Sequence, residues 1–386
     1  TGYTGNINKT VKPNLMMKYY KNFRISDDEN YRMGYINNAP NPKLRWEKTR
    51  DVKVALDFGL WKDRINGIVE AYWRKSKDCV TSEYVPVTTG FFNQSYNTSV
   101  LQNNGVEFSL SVAVLKSKDY NLSVSANVAW NQNKLKKYNS PNTSLALDKY
   151  VGYPMGAVFS GKYEGIDPET GMYKFKLRPD AVTNKDGYLR EPNNYYYYLG
   201  TSVAPFTGGF NLNFSYKNIG LSVGGSYSVK AKMVDNIESP AGYELLRGSK
   251  LESIPTPHND LYRNHLNVKR EVRNRWTPEN RTGVKYPRLI DAYGKKLGLD
   301  LTNPTLTTIT RGALLEDISY LRINTIALSY SLPQRVLERI NFSSAALNLT
   351  LNNFFTITKY SGIDPEVPGA TYPVSRSVTI GLNVGF

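Results

Sequence analysis

The sequence predicts an all-β chain, folded as a transmembrane antiparallel β-barrel of about twelve strands, and three observations carry that expectation. The last ten residues, Ser377 to Phe386, alternate: Val378, Ile380, Leu382, Val384 and Phe386 fall on one face, Thr379, Gly381, Asn383 and Gly385 on the other. Reading back from that strand, short and long connections take turns, as they do in bacterial barrels, where periplasmic turns are short and external loops long. Mean hydropathy is −0.46, and no stretch approaches the ~18 apolar residues of a membrane helix, so any membrane crossing is by strands. The closing strand alone would equally suit the inner face of a soluble sandwich; the rhythm of the connections separates the two.

If Phe386 ends in the periplasm, each element is placed in turn. A strand stub at the N-terminus precedes an external loop at 8–42, a strand at 43–60, the Trp61-Lys-Asp-Arg64 turn and a strand at 64–79. An external loop at 80–102 leads to a hairpin that sets Val106, Phe108, Leu110, Val112 and Val114 beside Leu122, Val124, Ala126, Val128 and Trp130 across Lys116-Ser-Lys-Asp119. Segment 134–156 is external, Asp167-Pro-Glu-Thr-Gly171 is a periplasmic turn with Pro and Gly where turn chemistry wants them, and 179–204 is external again. Phe210, Leu212, Phe214 and Tyr216 then pair through Lys217-Asn-Ile-Gly220 with Leu221, Val223, Tyr227 and Val229. A very long external segment, 232–312, returns through a strand at 313–330, a periplasmic connection at 331–340, a strand bearing Leu347, Leu349 and Leu351, and an external loop at 358–374. Within Leu321 to Tyr330 the apolar phase slips between Ile323 and Ile326, which predicts a β-bulge.

Composition bounds the function. The 49 Lys and Arg against 33 Asp and Glu leave a formal charge of +16, but these cations are scattered rather than gathered into a stripe or module, so nucleic acid is not an expected partner. At an outer-membrane surface the same charge suits lipopolysaccharide phosphates, while a merely solvated basic surface is the plain alternative. The one cysteine, Cys79, implies no internal disulfide framework and reads as an inert strand-end residue. The chain starts Thr1-Gly-Tyr-Thr without an initiator Met or an apolar leader and reads as a mature product or a fragment.

Several segments together resemble the SusC/RagA-like TonB-dependent transporters of Gram-negative outer membranes, over nearly the whole chain. They are Asn41-Pro-Lys-Leu-Arg-Trp-Glu-Lys-Thr49 leading into Ala55 to Leu60, Tyr72 to Asp78, Asn103 to Phe108, Gly165-Ile-Asp-Pro-Glu-Thr-Gly171 and Pro205 to Phe210. Arg275-Trp-Thr-Pro-Glu-Asn280 with Tyr286-Pro-Arg288, Ser319-Tyr-Leu-Arg-Ile-Asn324, Leu328 to Pro333 and Asn352 to Glu366 follow in order. The resemblance implies a 22-stranded barrel, of which this chain is the C-terminal half, closed by an N-terminal plug domain that the chain does not contain. It also implies active import of oligosaccharides or peptides energised through TonB, a SusD-like surface lipoprotein as lid, an N-terminal half of the barrel elsewhere, and no cofactor. The terminal Phe386, with Val384 and Leu382, resembles the signal read by the barrel-assembly machinery. A passive porin-type channel and a secreted β-rich adhesion protein are the alternatives.

No enzymatic role is expected. The two histidines, His258 and His265, sit in the long external segment, and their spacing with Asp260 matches no compact metal site. Gly-Ile-Asp-Pro-Glu occurs at 165–169 and 362–366; paired carboxylates invite a calcium reading, but Asp-Pro-Glu is good turn chemistry and the expected topology sets the copies on opposite sides of the membrane. For substrate binding, Asn193 and Asn194 followed by Tyr195, Tyr196, Tyr197 and Tyr198 combine stacking faces with hydrogen-bonding tips, although such a run is equally a girdle at the membrane interface. Arg275 and Trp276 are further candidates, with shaping of the long loop as their other reading. Glu70 and Glu107 are expected in the lumen, either paired with cations or simply hydrated.

Overall fold

The computed structural model of the chain describes residues 2–6, 16–24, 32–91, 93–138, 150–169, 171, 173–176, 178–179, 196–234, 274–284, 311–368, 370 and 372–386. They form two compact units, Thr1–Val112 with Asn127–Met155, and Ala113–Ala126 with Gly156–Phe386.

In the first unit the strands are β1 (Gly2–Asn6), β2 (Met16–Arg24), β3 (Arg32–Asn38), β4 (Glu47–Leu60), β5 (Ile65–Tyr84), β6 (Asn93–Lys116) and β7 (Tyr120–Tyr138), the last two running on into the second unit at their shared turn. β2 and β3 form a separate hairpin within the expected first external loop. The others follow in the order β1-β4-β5-β6-β7, antiparallel from β1 through β6. Facing residues show why the alternation matters: Val54 faces Ala71, Leu56 faces Val69 and Leu60 faces Ile65, and across β6 Val69 meets Phe108 and Ala71 meets Val106. Val54, Leu56, Leu60, Trp73 and Val106 on this face are exposed, as a lipid-facing surface requires. The alternate face carries Asp51, Lys53, Glu70, Tyr72, Arg74 and Glu107. β4 turns into β5 through Trp61, Lys62 and Asp63, all left-handed at φ 53°, 56° and 61°.

The strands extend further than the sequence suggested. β5 and β6 stay paired as far as Tyr84 opposite Asn93, so the loop expected at 80–102 shrinks to 85–92. Past the apolar band a ladder needs only backbone partners, and Thr81, Ser82, Gln94 and Ser95 give no apolar alternation to announce it.

The second unit holds β8 (Ala157–Ile166), β9 (Tyr173–Lys176), β10 (Tyr196–Thr201), β11 (Phe206–Tyr216), β12 (Ile219–Val229), β13 (Lys232–Val234), β14 (Leu315–Asp317), β15 (Tyr320–Ser331), a short helix α1 (Gln334–Arg339), β16 (Ser344–Thr358) and β17 (Ser377–Gly385). The long strands pair antiparallel in the order β11-β12-β15-β16-β17. One face is apolar throughout: Leu221 pairs Phe214 and Leu328, Leu328 pairs Leu349, and Leu349 pairs Ile380. Ile380 is 73% and Leu382 66% exposed. The phase slip in β15 is a register irregularity, seen against β12 between Gly224 and Gly225 and against β16 between Ile323 and Thr325. Asn353 of β16 takes φ 60° there, a conformation Asn tolerates.

Three expectations are corrected. β8, β9 and β10 do not join the long strands but form their own sheet in the order β10-β8-β9. β9 has four residues, well short of the ~9–11 that span a bilayer. The Asp167–Gly171 turn therefore lies within the connection from β7 to β11, at the same end as the β16–β17 connection that carries the second Gly-Ile-Asp-Pro-Glu, and the copies are not on opposite sides. The strand expected at 313–330 is likewise two: β14 pairs β13, and β15 begins after Ile318 and Ser319. Ala231, Ile318 and Tyr360, with Ala204 and Met233 against them, make a small core at that junction.

Candidate functional site

The polar faces carry the hydrogen-bonding and charged side chains. In the first unit that face is charged and laced: Lys53 Nζ donates to Glu70 Oε1 at 2.6 Å, Arg74 Nη2 donates to Asp51 Oδ2 at 2.8 Å, the Tyr72 hydroxyl reaches Asn131 Oδ1 at 3.1 Å, and Asn133 Nδ2 donates to Asn103 Oδ1 at 2.6 Å. Glu70, read as a lumen group, is thus paired, and Glu107 stands directly opposite it. Cys79 lies beyond the apolar band, buried where desolvation and then the Glu47 carboxylate push its thiol up from its ordinary value. A raised pKa keeps the thiolate scarce.

In the second unit the polar face is uncharged over most of its length. Ser222 Oγ donates to Asn213 Oδ1 at 2.8 Å, Thr325 Oγ1 to Asn352 Oδ1 at 3.1 Å, and Asn352 Nδ2 to Ser377 Oγ at 3.0 Å. A concavity of about 430 Å³ opens on it, lined by Asn121, Ser123, Asn213, Ser222, Asn348 and Thr350 among others. Amides and hydroxyls in such a bay can exchange hydrogen bonds with hydroxyls or backbone amides of a ligand.

At the long-connection end, both Gly-Ile-Asp-Pro-Glu copies fold alike. Glu169 N–H donates to Asp167 Oδ1, and Glu366 N–H to Asp364 Oδ1, each at 2.8 Å. These are Asx turns, as their composition implied. Each copy is then gripped by a side chain from another of the singled-out segments. Trp276, 7% exposed, donates its indole N–H to Pro168 O at 2.9 Å. Arg322 donates Nη2 to Asp364 Oδ1 at 2.5 Å, Nη1 to Glu366 Oε2 at 2.6 Å and Nε to Thr356 Oγ1 at 3.2 Å, with its guanidinium 5.6 Å from the Tyr320 ring centre. Ser361 is held as well, its N–H and hydroxyl both donating to the Glu316 carboxylate.

Of the candidate binding residues, Asn193, Asn194 and Tyr195 lie outside the described residues, as do His258, Asp260 and His265. Tyr196, Tyr197 and Tyr198 begin β10 and face Gly161, Ser160 and Phe159. Tyr198 stacks obliquely on Phe159, centroids 5.7 Å apart, while remaining 41% exposed. On the same face of β8, Tyr163 meets Phe175 at 6.0 Å. Arg275 is half-buried and its carbonyl accepts a bond from Asn280 Nδ2 at 3.4 Å, within the Thr277–Asn280 turn. Trp276 is thus placed to hold loops together. At the closing strand Phe386 packs edge-on against Phe342, centroids 5.1 Å apart. Residue-by-residue reading missed Arg322, Asp364 and Glu366 as a unit; the available signal was that both of their segments were among the singled-out ones.

No protein-family model matches the chain. The TonB-dependent receptor P26 of Formosa agariphila is 25% identical over 386 aligned residues, covering 91% of this chain and 36% of that protein. TonB-dependent receptor SusC of Bacteroides thetaiotaomicron is 25% identical, covering 90% of this chain and 33% of that protein. The solved structure of the RagAB peptide transporter superposes with a TM-score of 0.75 at 26% identity, over 100% of this chain and 40% of that one. The chain spans a third to two-fifths of the length of these relatives. Their fold class is its own, an antiparallel transmembrane β-barrel of the outer-membrane type, built here from strands with one lipid-ready face and one polar face. The chain is accordingly SusC/RagA-like in sequence and fold, similar over nearly its whole length to a stretch of these TonB-dependent proteins.

Proposed function

We propose that the chain supplies barrel wall and external loops to an active importer of nutrient oligomers, peptides or oligosaccharides. Peptides are the cargo named for the RagAB neighbour. The observation that carries this reading is the division of the long strands into an apolar face, exposed along β4 and β17, and a polar face, in a chain that matches that neighbour from end to end. In this reading the polar face lines the path, and Tyr196, Tyr197 and Tyr198, with the Asn193 to Tyr195 run before them and Arg275 and Trp276, belong to the cargo-facing loops. A SusD-like lipoprotein covers the long-connection end, an N-terminal half of the barrel with its plug couples the protein to TonB, the barrel-assembly machinery reads Leu382, Val384 and Phe386, and lipopolysaccharide meets the external cations. The C-terminus is periplasmic, and no catalysis is assigned.

The test is uptake of labelled oligopeptides and oligosaccharides by cells carrying the full-length protein, with and without a working TonB. Uptake lost in the TonB-deficient strain supports the importer. Uptake that continues without TonB supports the passive channel instead.

A further inference from the structure

The short connections of the second unit form one continuous rim. Lys217 N–H donates to Asp119 O at 2.6 Å, Ser331 N–H donates to Asn218 O at 2.9 Å, and Asn218 Nδ2 returns a bond to Ser331 O at 2.8 Å. The turns after β6, after β11 and after β15 are therefore laced side by side. Along them stand Lys116, Lys118, Lys217, Arg335 and Arg339, all exposed. Among the described residues none of the five makes an ion pair, in contrast to Arg322 at the opposite ends of the strands, which is spent on two carboxylates. The acidic side chains of the rim are Asp119 and Glu338, so five cations less two anions leave +3.

A solvated basic edge would be the ordinary explanation if the cations had polar neighbours alone. Large apolar side chains stand among them as well as polar ones: Leu115, Tyr216, Ile219 and Ile340 are interleaved with the cations and are each between 43% and 44% exposed. Lys217 lies over the Tyr216 ring, Nζ 5.3 Å from its centre. In the first unit the Trp61-Lys62-Asp63-Arg64 turn has the same make-up, with Trp61 73% exposed beside two cations that have no ion pair among the described residues. Exposed apolar groups alternating with unpaired cations at the end of an apolar band suit a boundary where acyl chains give way to anionic headgroups.

We propose that this rim binds the anionic headgroups of phospholipids in the leaflet it faces, Lys116, Lys118, Lys217, Arg335 and Arg339 contacting phosphate oxygens while the interleaved side chains enter the acyl boundary. It rests on the outer-membrane reading above and adds a lipid partner. Each basic residue near an anionic surface contributes about a fivefold preference. Screening among neighbours reduces the product, so a severalfold to tenfold selectivity is expected for the rim as a whole.

The full-length protein is reconstituted in phosphatidylcholine bilayers at low salt with trace spin-labelled phosphatidylglycerol or spin-labelled phosphatidylcholine, and the protein-associated fraction of each is read by electron spin resonance. The expected result is severalfold enrichment of phosphatidylglycerol, lost in 0.5 M salt (about a 4 Å screening length) and lost in the variant Lys116→Ser/Lys118→Ser/Lys217→Ser/Arg335→Gln/Arg339→Gln. A charge-preserving variant with arginine at the three lysine positions keeps it. Equal association of the two lipids, enrichment unchanged in the neutralised variant, or displacement by millimolar inorganic phosphate would overturn the proposal, as would a stronger rim-dependent preference for lipopolysaccharide. Cargo uptake, measured separately on the same variants, tests the importer reading, so the two can fail independently.

Discussion

Replacing Arg322 by Ala removes the cation from a site where one of its anions is buried and has no other ion-pair partner among the described residues. Asp364 is 3% exposed and its Oδ1 is 2.5 Å from Arg322 Nη2, whereas Glu366 has a side chain 47% exposed. Breaking a buried pair from one side costs about 3–5 kcal/mol because the remaining charge is stranded, while a half-exposed pair is worth about 0–1 kcal/mol. The loss is therefore assigned to the Asp364 arm, and Arg322→Ala is expected to free the segment after β16 by about 3–5 kcal/mol, a two- to four-decade fall in amide protection. Glu366→Gln is expected to lower protection less than tenfold. Because Asp364 also accepts from Glu366 N–H, Asp364→Asn is the informative partner change: the double variant Arg322→Met/Asp364→Asn removes both charges and is expected to cost much less than the sum of the single changes. The assay is hydrogen exchange by mass spectrometry over 359–368 in the full-length protein in lipid nanodiscs. A change under tenfold for Arg322→Ala, or strict additivity in the double variant, would refute the argument that a buried ion pair pins this loop.

Other outcomes are expected from the same geometry. Trp276→Phe keeps most of the buried ring but loses the bond to Pro168 O, costing about 0.5–1.5 kcal/mol, and Trp276→Ala costs about 3–5 kcal/mol; both are read as exchange at 165–169. Leu382→Arg, on the apolar face, is expected to destabilise the folded protein in bilayers by about 2–4 kcal/mol in urea titrations if it sits at mid-depth, whereas Asn383→Ser on the other face is expected to change stability by less than about 0.5 kcal/mol. Cysteines introduced at Glu169 or Ser361 should react with an impermeant thiol label on intact cells while those at Lys118 or Asn218 should not; the reverse pattern would invert the assigned orientation.

How far the sequence reached depends on the range of the interaction involved. Period-two alternation is local, so the apolar faces of β4, β5, β11, β12, β16 and β17, the tight turns at 61–64 and 217–218, and the slip in β15 were all readable from neighbouring residues. A short turn between longer connections is equally produced by strands that span a bilayer and by strands that do not, which is why Asp167–Gly171 reads as a periplasmic turn. Only pairing with β10 placed β8 and β9 in a sheet of their own.

The sequence by itself determined that this chain is built of two-faced strands joined by short and long connections in turn, because side-chain alternation and turn chemistry are written into adjacent residues. Tertiary structure decided what those connections do. Arg322 meets Asp364 across 42 positions of sequence and Trp276 meets Pro168 across 108; no local pattern specifies such partners. The repeated Gly-Ile-Asp-Pro-Glu was legible as a turn. That each copy is a handle, one for a guanidinium and one for an indole, followed only once the strands had brought both ends of each contact together.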